Sequence, residues 1–170
     1  MAFAYDTPIS CPSGDFAIQR LQRGDQVMAA SLRDGGAPVW EPTAIVFSDG
    51  VAPGGWSTAM FIEFDDRGRL ICLQEQIFLE ADGQLTSARR LHPGRRLVRP
   101  DGSERLISAV SWGRFEGGLH NVATGMEYRG SPDSHLIAAG GVMAGDFLLV
   151  MNHRNQAGPG PNDATGGEDD

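Results

Sequence analysis

Few side chains in this sequence can do nucleophilic or acid–base work. There are two cysteines, Cys11 and Cys72, and four histidines, His92, His120, His135 and His153. A thiolate beside an imidazole could attack a carbonyl, because imidazole titrates near neutrality and can take up or return the proton. Cys72, however, lies in the apolar run Leu70-Ile71-Cys72-Leu73, the setting of an inert core thiol. Cys11 adjoins the turn Pro12-Ser13-Gly14 and reads as structural. No pair of histidines or cysteines has the close spacing of a zinc site, so neither metal nor other cofactor is expected. Asp65-Asp66 share a turn with Gly68, and turn chemistry explains them without a catalytic carboxylate pair. His92 precedes Pro93-Gly94 in another turn, and His120 falls in a predicted strand. Arg89, Arg90, Arg95, Arg96, Arg99 and Arg105 form a basic cluster. It could meet a phosphate or an acidic partner, but it also reads as a solvated turn and edge strand guarded by charge.

Composition narrows the setting of these residues. The chain has 170 residues, a net charge of −8 and a pI near 4.9, and every basic residue is Arg. An acidic chain repels phosphate backbones, so no nucleic-acid partner is expected. No apolar run approaches the roughly 20 residues that span a bilayer, so no membrane partner is expected. The start, MAFAYDTPIS, lacks the basic and apolar regions of a signal peptide. Reduced thiols in the cytoplasm follow as the expected setting.

Gly and Pro interrupt the chain too often for long helices; the longest stretch free of both runs from Arg69 to Asp82. What remains reads as short strands between turn signals. Examples are Thr7–Cys11 and Asp15–Ile18 around Pro12-Ser13-Gly14, and Gln26–Leu32 and Pro38–Phe47 around residues 33–36. Others are Trp56–Phe64 and Leu70–Leu73 around Asp65-Asp66-Arg67-Gly68, Gln76–Glu80 before Asp82-Gly83, and Arg95–Arg99 and Glu104–Trp112 around Pro100-Asp101-Gly102. Met60, Ile62 and Phe64 alternate with Phe61 and Glu63 as in a half-buried strand. The spacing predicts an all-β fold over residues 1–153, with Gly50–Gly55 joining two halves. Residues 154–170 hold no large apolar side chain and form an acidic Gly/Pro tail expected to be disordered.

An internal repeat is the most informative pattern. At a constant offset of 70, Ile18 meets Ala88, Arg20 meets Arg90, Leu21 meets Leu91, Gly24 meets Gly94 and Val27 meets Leu97. Each copy reads as one helical turn ending in Leu, then a Gly, then a strand, which suggests a pseudo-twofold fold built by duplication.

These units resemble the Hint domains of hedgehog proteins, inteins and bacterial intein-like proteins. Leu21-Gln22-Arg23-Gly24-Asp25-Gln26-Val27 is similar to that family's first turn. Its opening block, Cys-Phe-x-x-Gly-Thr-x-Ile, matches Phe3, Thr7 and Ile9, but Ala2 stands where the family has its nucleophilic Cys. In the second block, Thr-x-x-His, Cys72 takes the Thr place and Glu75 the His place. The last block matches at His120-Asn121-Val122, His135, Ala139, Gly141 and Val142-Met143. Its terminal His-Asn pair is Gly145-Asp146, with Phe147 next.

The resemblance implies a site made of Cys72, Glu75, His135 and Asp146 around a vacant nucleophile position at Ala2. An acyl shift needs an attacking sulfur or oxygen, oxyanion donors and an acid for the leaving amine. Ala2 has no attacking atom, and only Met1 precedes it. Asp146 lacks the amide for cyclisation, and Phe147 cannot accept an acyl group. The expectation is therefore a degenerate Hint-like domain, leaning away from an enzyme, that serves as a binding or accessory module for an unidentified protein partner. The alternative is an autoprocessing, peptide-bond-cleaving domain whose nucleophilic Cys is replaced by Ala2. A third reading is a β domain that binds a small molecule or peptide in a cleft near Ala2, Cys72 and His135.

Overall fold

The computed structural model describes residues 2–32, 37–125 and 127–156, with the side chains of 154–156 left aside. The turn at 33–36 and the tail beyond 156 lie outside the described residues. Fourteen strands and one helix follow in order. They are β1 (Phe3–Ala4), β2 (Pro8–Cys11), β3 (Gly14–Ala17), β4 (Gln26–Ser31), β5 (Val39–Val51), β6 (Ser57–Phe64), β7 (Arg69–Cys72) and β8 (Ile77–Leu79). Then come β9 (Leu85–Ser87), β10 (Arg96–Val98), β11 (Glu104–Phe115), β12 (Leu119–Thr124), β13 (Leu136–Ala139), β14 (Val142–Gly145) and α1 (Phe147–Gln156). The strands run β10-β11-β6-β7-β1-β12-β5-β4-β13-β14-β8-β9 across a continuous antiparallel sheet, with the β2–β3 hairpin attached at β13.

The repeated turns fold alike. Ile18–Arg20 and Ala88–Arg90 are both single 3₁₀ turns. In the first half, Ile18 N donates to Thr7 O, Leu21 N to Ile18 O, Gly24 N to Ile45 O and Ile45 N to Asp25 O. The second half repeats each bond: Ala88 N to Gln76 O, Leu91 N to Ala88 O, Gly94 N to Ile107 O and Ile107 N to Arg95 O. Gly24 at φ 97° and Gly94 at φ 94° sit in the left-handed region that a residue with a Cβ disfavours. The pseudo-twofold is thus a feature of hydrogen bonding as well as of sequence.

One apolar core crosses both halves. Phe3, Ile9, Ile18, Val27 and Ile45 meet Ile62, Leu70, Phe78, Leu97, Ile107, Ile137 and Val142, all buried. A second cluster joins Leu79, Leu136 and Met143 to Leu149 of α1. Two details depart from the sequence reading. Gly50 and Val51 belong to β5, paired with His120 and Leu119, so the joint between halves is shorter than Gly50–Gly55. The helix α1 was not expected from sequence; it starts beyond Asp146, whose Oδ1 accepts Leu149 N at 2.9 Å as an N-cap.

Candidate functional site

Strand pairing draws the two ends of the fold together. Phe3 in β1 lies opposite Cys72 on one side and His120 on the other. Leu73 N donates to the carbonyl of Ala2 at 2.9 Å, which fixes residue 2 beside the β7–β8 connection. Against this point, Phe3, Gln76, Asn121, Val122, Gly145, Asp146 and Phe147 line a cavity of about 10 Å³. That is room for about one water molecule. The cleft is filled, which counts against a small-molecule site there.

His135 and Asp146 form the charged part of the site. His135 Nδ1 lies 3.0 Å from Asp146 Oδ2, and Nε2 lies 3.1 Å from the Glu127 carbonyl. Both ring nitrogens therefore face acceptors, and only the imidazolium satisfies both. The two side chains are 5% and 0% exposed. Burial alone would push the His135 pKa down. The hydrogen bond and charge of Asp146, with the Glu127 carbonyl, outweigh it and leave the pKa raised. Asp146 Oδ2 also accepts Thr124 N at 2.8 Å, at the point where the β5–β12 register shifts between Ala123 and Thr124. Asp146 is therefore ion partner, strand anchor and helix cap at once.

The remaining candidates are placed as follows. Cys72 is fully buried in the core, and burial pushes its thiol up to about 12. Glu75 is half-buried beside the site, while its neighbour Gln76 lines the cavity. Gln76 Nε2 donates to Gly145 O at 2.7 Å and to Ile77 O at 3.2 Å. Gln76 and Thr124 are not singled out in the sequence, whereas Asn121 lies in the last block of the resemblance. The repeat held a signal for Gln76: Ala88 N reaches it as Ile18 N reaches Thr7. The spacing is one residue longer in the second half, which hides the equivalence at an offset of 70.

Gly145 has a packing reason to lack a side chain. A Cβ there would stand 2.9 Å from Leu149 Cδ2 and 3.3 Å from Leu149 Cβ. His120 is engaged elsewhere. Ser48 Oγ donates to Leu21 O at 2.6 Å and so accepts from His120 Nε2 at 2.7 Å, an arrangement that leaves Ser48 no proton to give the ring. Burial lowers the His120 pKa, against an opposing pull from Asp49. In the basic cluster, Arg95 pairs with Glu80, Arg96 with Glu104, and Arg99 and Arg105 with Asp66. Most of its charge is answered within the molecule. Among the described residues, no group of His, Cys, Asp and Glu is disposed to hold a metal.

Two symmetric β halves, with β1 and the end of β14 meeting at one cavity, define the Hint fold of inteins and intein-like domains. No protein-family model and no curated protein matches the sequence. Among solved structures, the solution structure of a bacterial intein-like domain from Clostridium thermocellum is similar, with a TM-score of 0.70 and 15% identity over 85% of this chain and 98% of that one. The gp41-1 intein crystal structure gives 0.64 and 18% over 85% and 98%. A DnaB intein from Synechocystis sp. PCC 6803 gives 0.65 and 16% over 85% and 97%. At these identities the likeness is one of fold.

Proposed function

We propose that this chain is a Hint-fold domain that has lost self-splicing and self-cleavage and serves as a binding or accessory module for another protein. The observation that carries the reading is Ala2. It lies where the fold brings β1 to the cavity, with its carbonyl held by Leu73 N, and it has no atom that can attack a carbonyl. The nearest thiol, Cys72, is buried and held protonated by its surroundings. At the other end, Asp146 spends its carboxylate on His135, Thr124 and Leu149, and the backbone continues into a packed helix. A reporter peptide appended at the N-terminus tests the reading by intact mass. The mass stays constant with and without dithiothreitol; thiol-dependent release of the reporter overturns the reading.

The alternative is an autoprocessing domain whose nucleophilic cysteine is replaced by Ala2. The polar groups still gathered at the cavity, Gln76, Asn121 and Asp146, favour it. Ala2→Cys carrying the same reporter separates the two: release in dithiothreitol supports the alternative, and an unchanged mass supports the binding module.

A further inference from the structure

We propose that the open edge of β3 takes an extended peptide segment of a partner protein as an added strand, with an apolar side chain on Phe16. This rests on the binding-module reading and names the class of partner. The hairpin register pairs Pro8 with Ala17, Ile9 with Phe16, Ser10 with Asp15 and Cys11 with Gly14. Ile18 N donates to Thr7 O, so the hydrogen-bonded pairs are Thr7/Ile18, Ile9/Phe16 and Cys11/Gly14. Pro8 O fits this alternation, because it accepts Gly140 N instead of reaching β3. The backbone N–H and C=O of Asp15 and Ala17 therefore point away from β2, and β3 has no other strand neighbour among the described residues. Such groups at strand period are what an extended backbone pairs with.

The side chains beside this edge are arranged for an occupant. Phe16 forms one wall of an open groove of about 580 Å³ together with Cys11, Pro12 and Leu21, with Arg20 and Asp25 among its polar groups. Phe16 is 44% exposed, whereas its counterpart at the offset of 70, Thr86, is buried and hydrogen-bonded to Glu80. One half of the pseudo-twofold thus closes this position and the other opens it. A second copy suits the edge poorly. A stable dimer buries at least about 1,200 Å², more than a four-residue strand offers.

The test uses the full chain and a random peptide library displayed on phage. Enriched peptides should alternate apolar and polar residues, and the best of them, fluorescein-labelled, is titrated by anisotropy. Ala17→Pro is the decisive variant. Ala17 has φ −62°, which proline adopts without strain, and its N–H takes no part in the hairpin. Ala17→Pro should weaken the peptide at least tenfold while leaving the thermal midpoint within a few degrees. Phe16→Thr, which copies the closed half, should weaken it as well. The proposal is overturned if no peptide is enriched, if selected peptides bind both variants as they bind the parent, if sedimentation shows a dimer that Ala17→Pro dissolves, or if peptides bind only after residues 157–170 are removed. Intact mass at the end of the titration keeps the two readings apart. Lost binding with unchanged mass removes only the edge, while release of an N-terminal reporter removes only the non-cleaving reading.

Discussion

The imidazole at position 135 has an acceptor on each nitrogen, the buried Asp146 carboxylate on one and the Glu127 backbone carbonyl on the other, and this pairing favours its charged form. Its folded pKa is raised above the unfolded value, so this pair's stabilisation is complete below about pH 6.5 and is lost as pH rises through the folded pKa. Thermal midpoints measured from pH 5 to 9 should fall on the alkaline side, and His135→Gln should flatten that fall; an unchanged profile in the variant would refute the charge assignment. Asp146→Asn strands the charged ring and weakens the cap, and should cost about 3–5 kcal/mol in urea unfolding, the range for breaking a buried pair. At this scale the sequence was partly legible. His135 and Asp146 could be singled out by type and order. Asn121 came with its block, but Gln76 and Thr124 could not be picked out, because ordinary polar residues become candidates only when tertiary contacts bring them to the cavity or to the Asp146 carboxylate.

The unit that repeats is the 3₁₀ turn, its Gly and the strand after it. Gly24 and Gly94 are needed for their backbone angles alone, since a Cβ at either would touch nothing within 4 Å. Gly24→Ala and Gly94→Ala should therefore each cost about 1–3 kcal/mol, the range for a residue forced into the left-handed region. The two costs should agree within error, because the hydrogen bonds flanking them are equivalent; chemical denaturation of both variants checks this. A large difference would show that one turn is held by contacts the other lacks. These turns were readable because their chemistry is local and occurs twice. The extension of β5 through Gly50 was not, because a Gly in a long strand looks like a joint until its partner is known. There His120 presses so close that a Cβ on Gly50 would lie 2.5 Å from the ring nitrogen. The helix α1 was hidden for a related reason: its start depends on Asp146 serving as a cap, a role that its place beside Phe147-Leu148-Leu149 only hints at.

For the molecule as a whole, the end of β14 is an internal junction. Beyond Asp146, Leu149 and Val150 are buried, and the Phe147 ring packs 4.8 Å from that of Phe47 on β5. Leu149 also occupies the space above Gly145, the place where the Hint pattern has its penultimate histidine, so a packed α1 and a side chain at 145 compete for one volume. On the proposed non-cleaving reading, the buried Ala2 and the helix at the other end point the same way: the meeting of the two halves has become core. Ending the chain at Asp146 uncovers the floor under Leu149 and Val150 and removes one donor from the Asp146 carboxylate. Burying such side chains is worth about 1.5–3 kcal/mol each, so the truncated chain should lose about 3–6 kcal/mol. Ending it after Gln156 keeps α1 and serves as the control. Urea midpoints compare the two with the full chain. If the chain ended at Asp146 proved as stable as the control, α1 would be an appendage to a fold complete without it, and the packing objection to cleavage at that bond would fall.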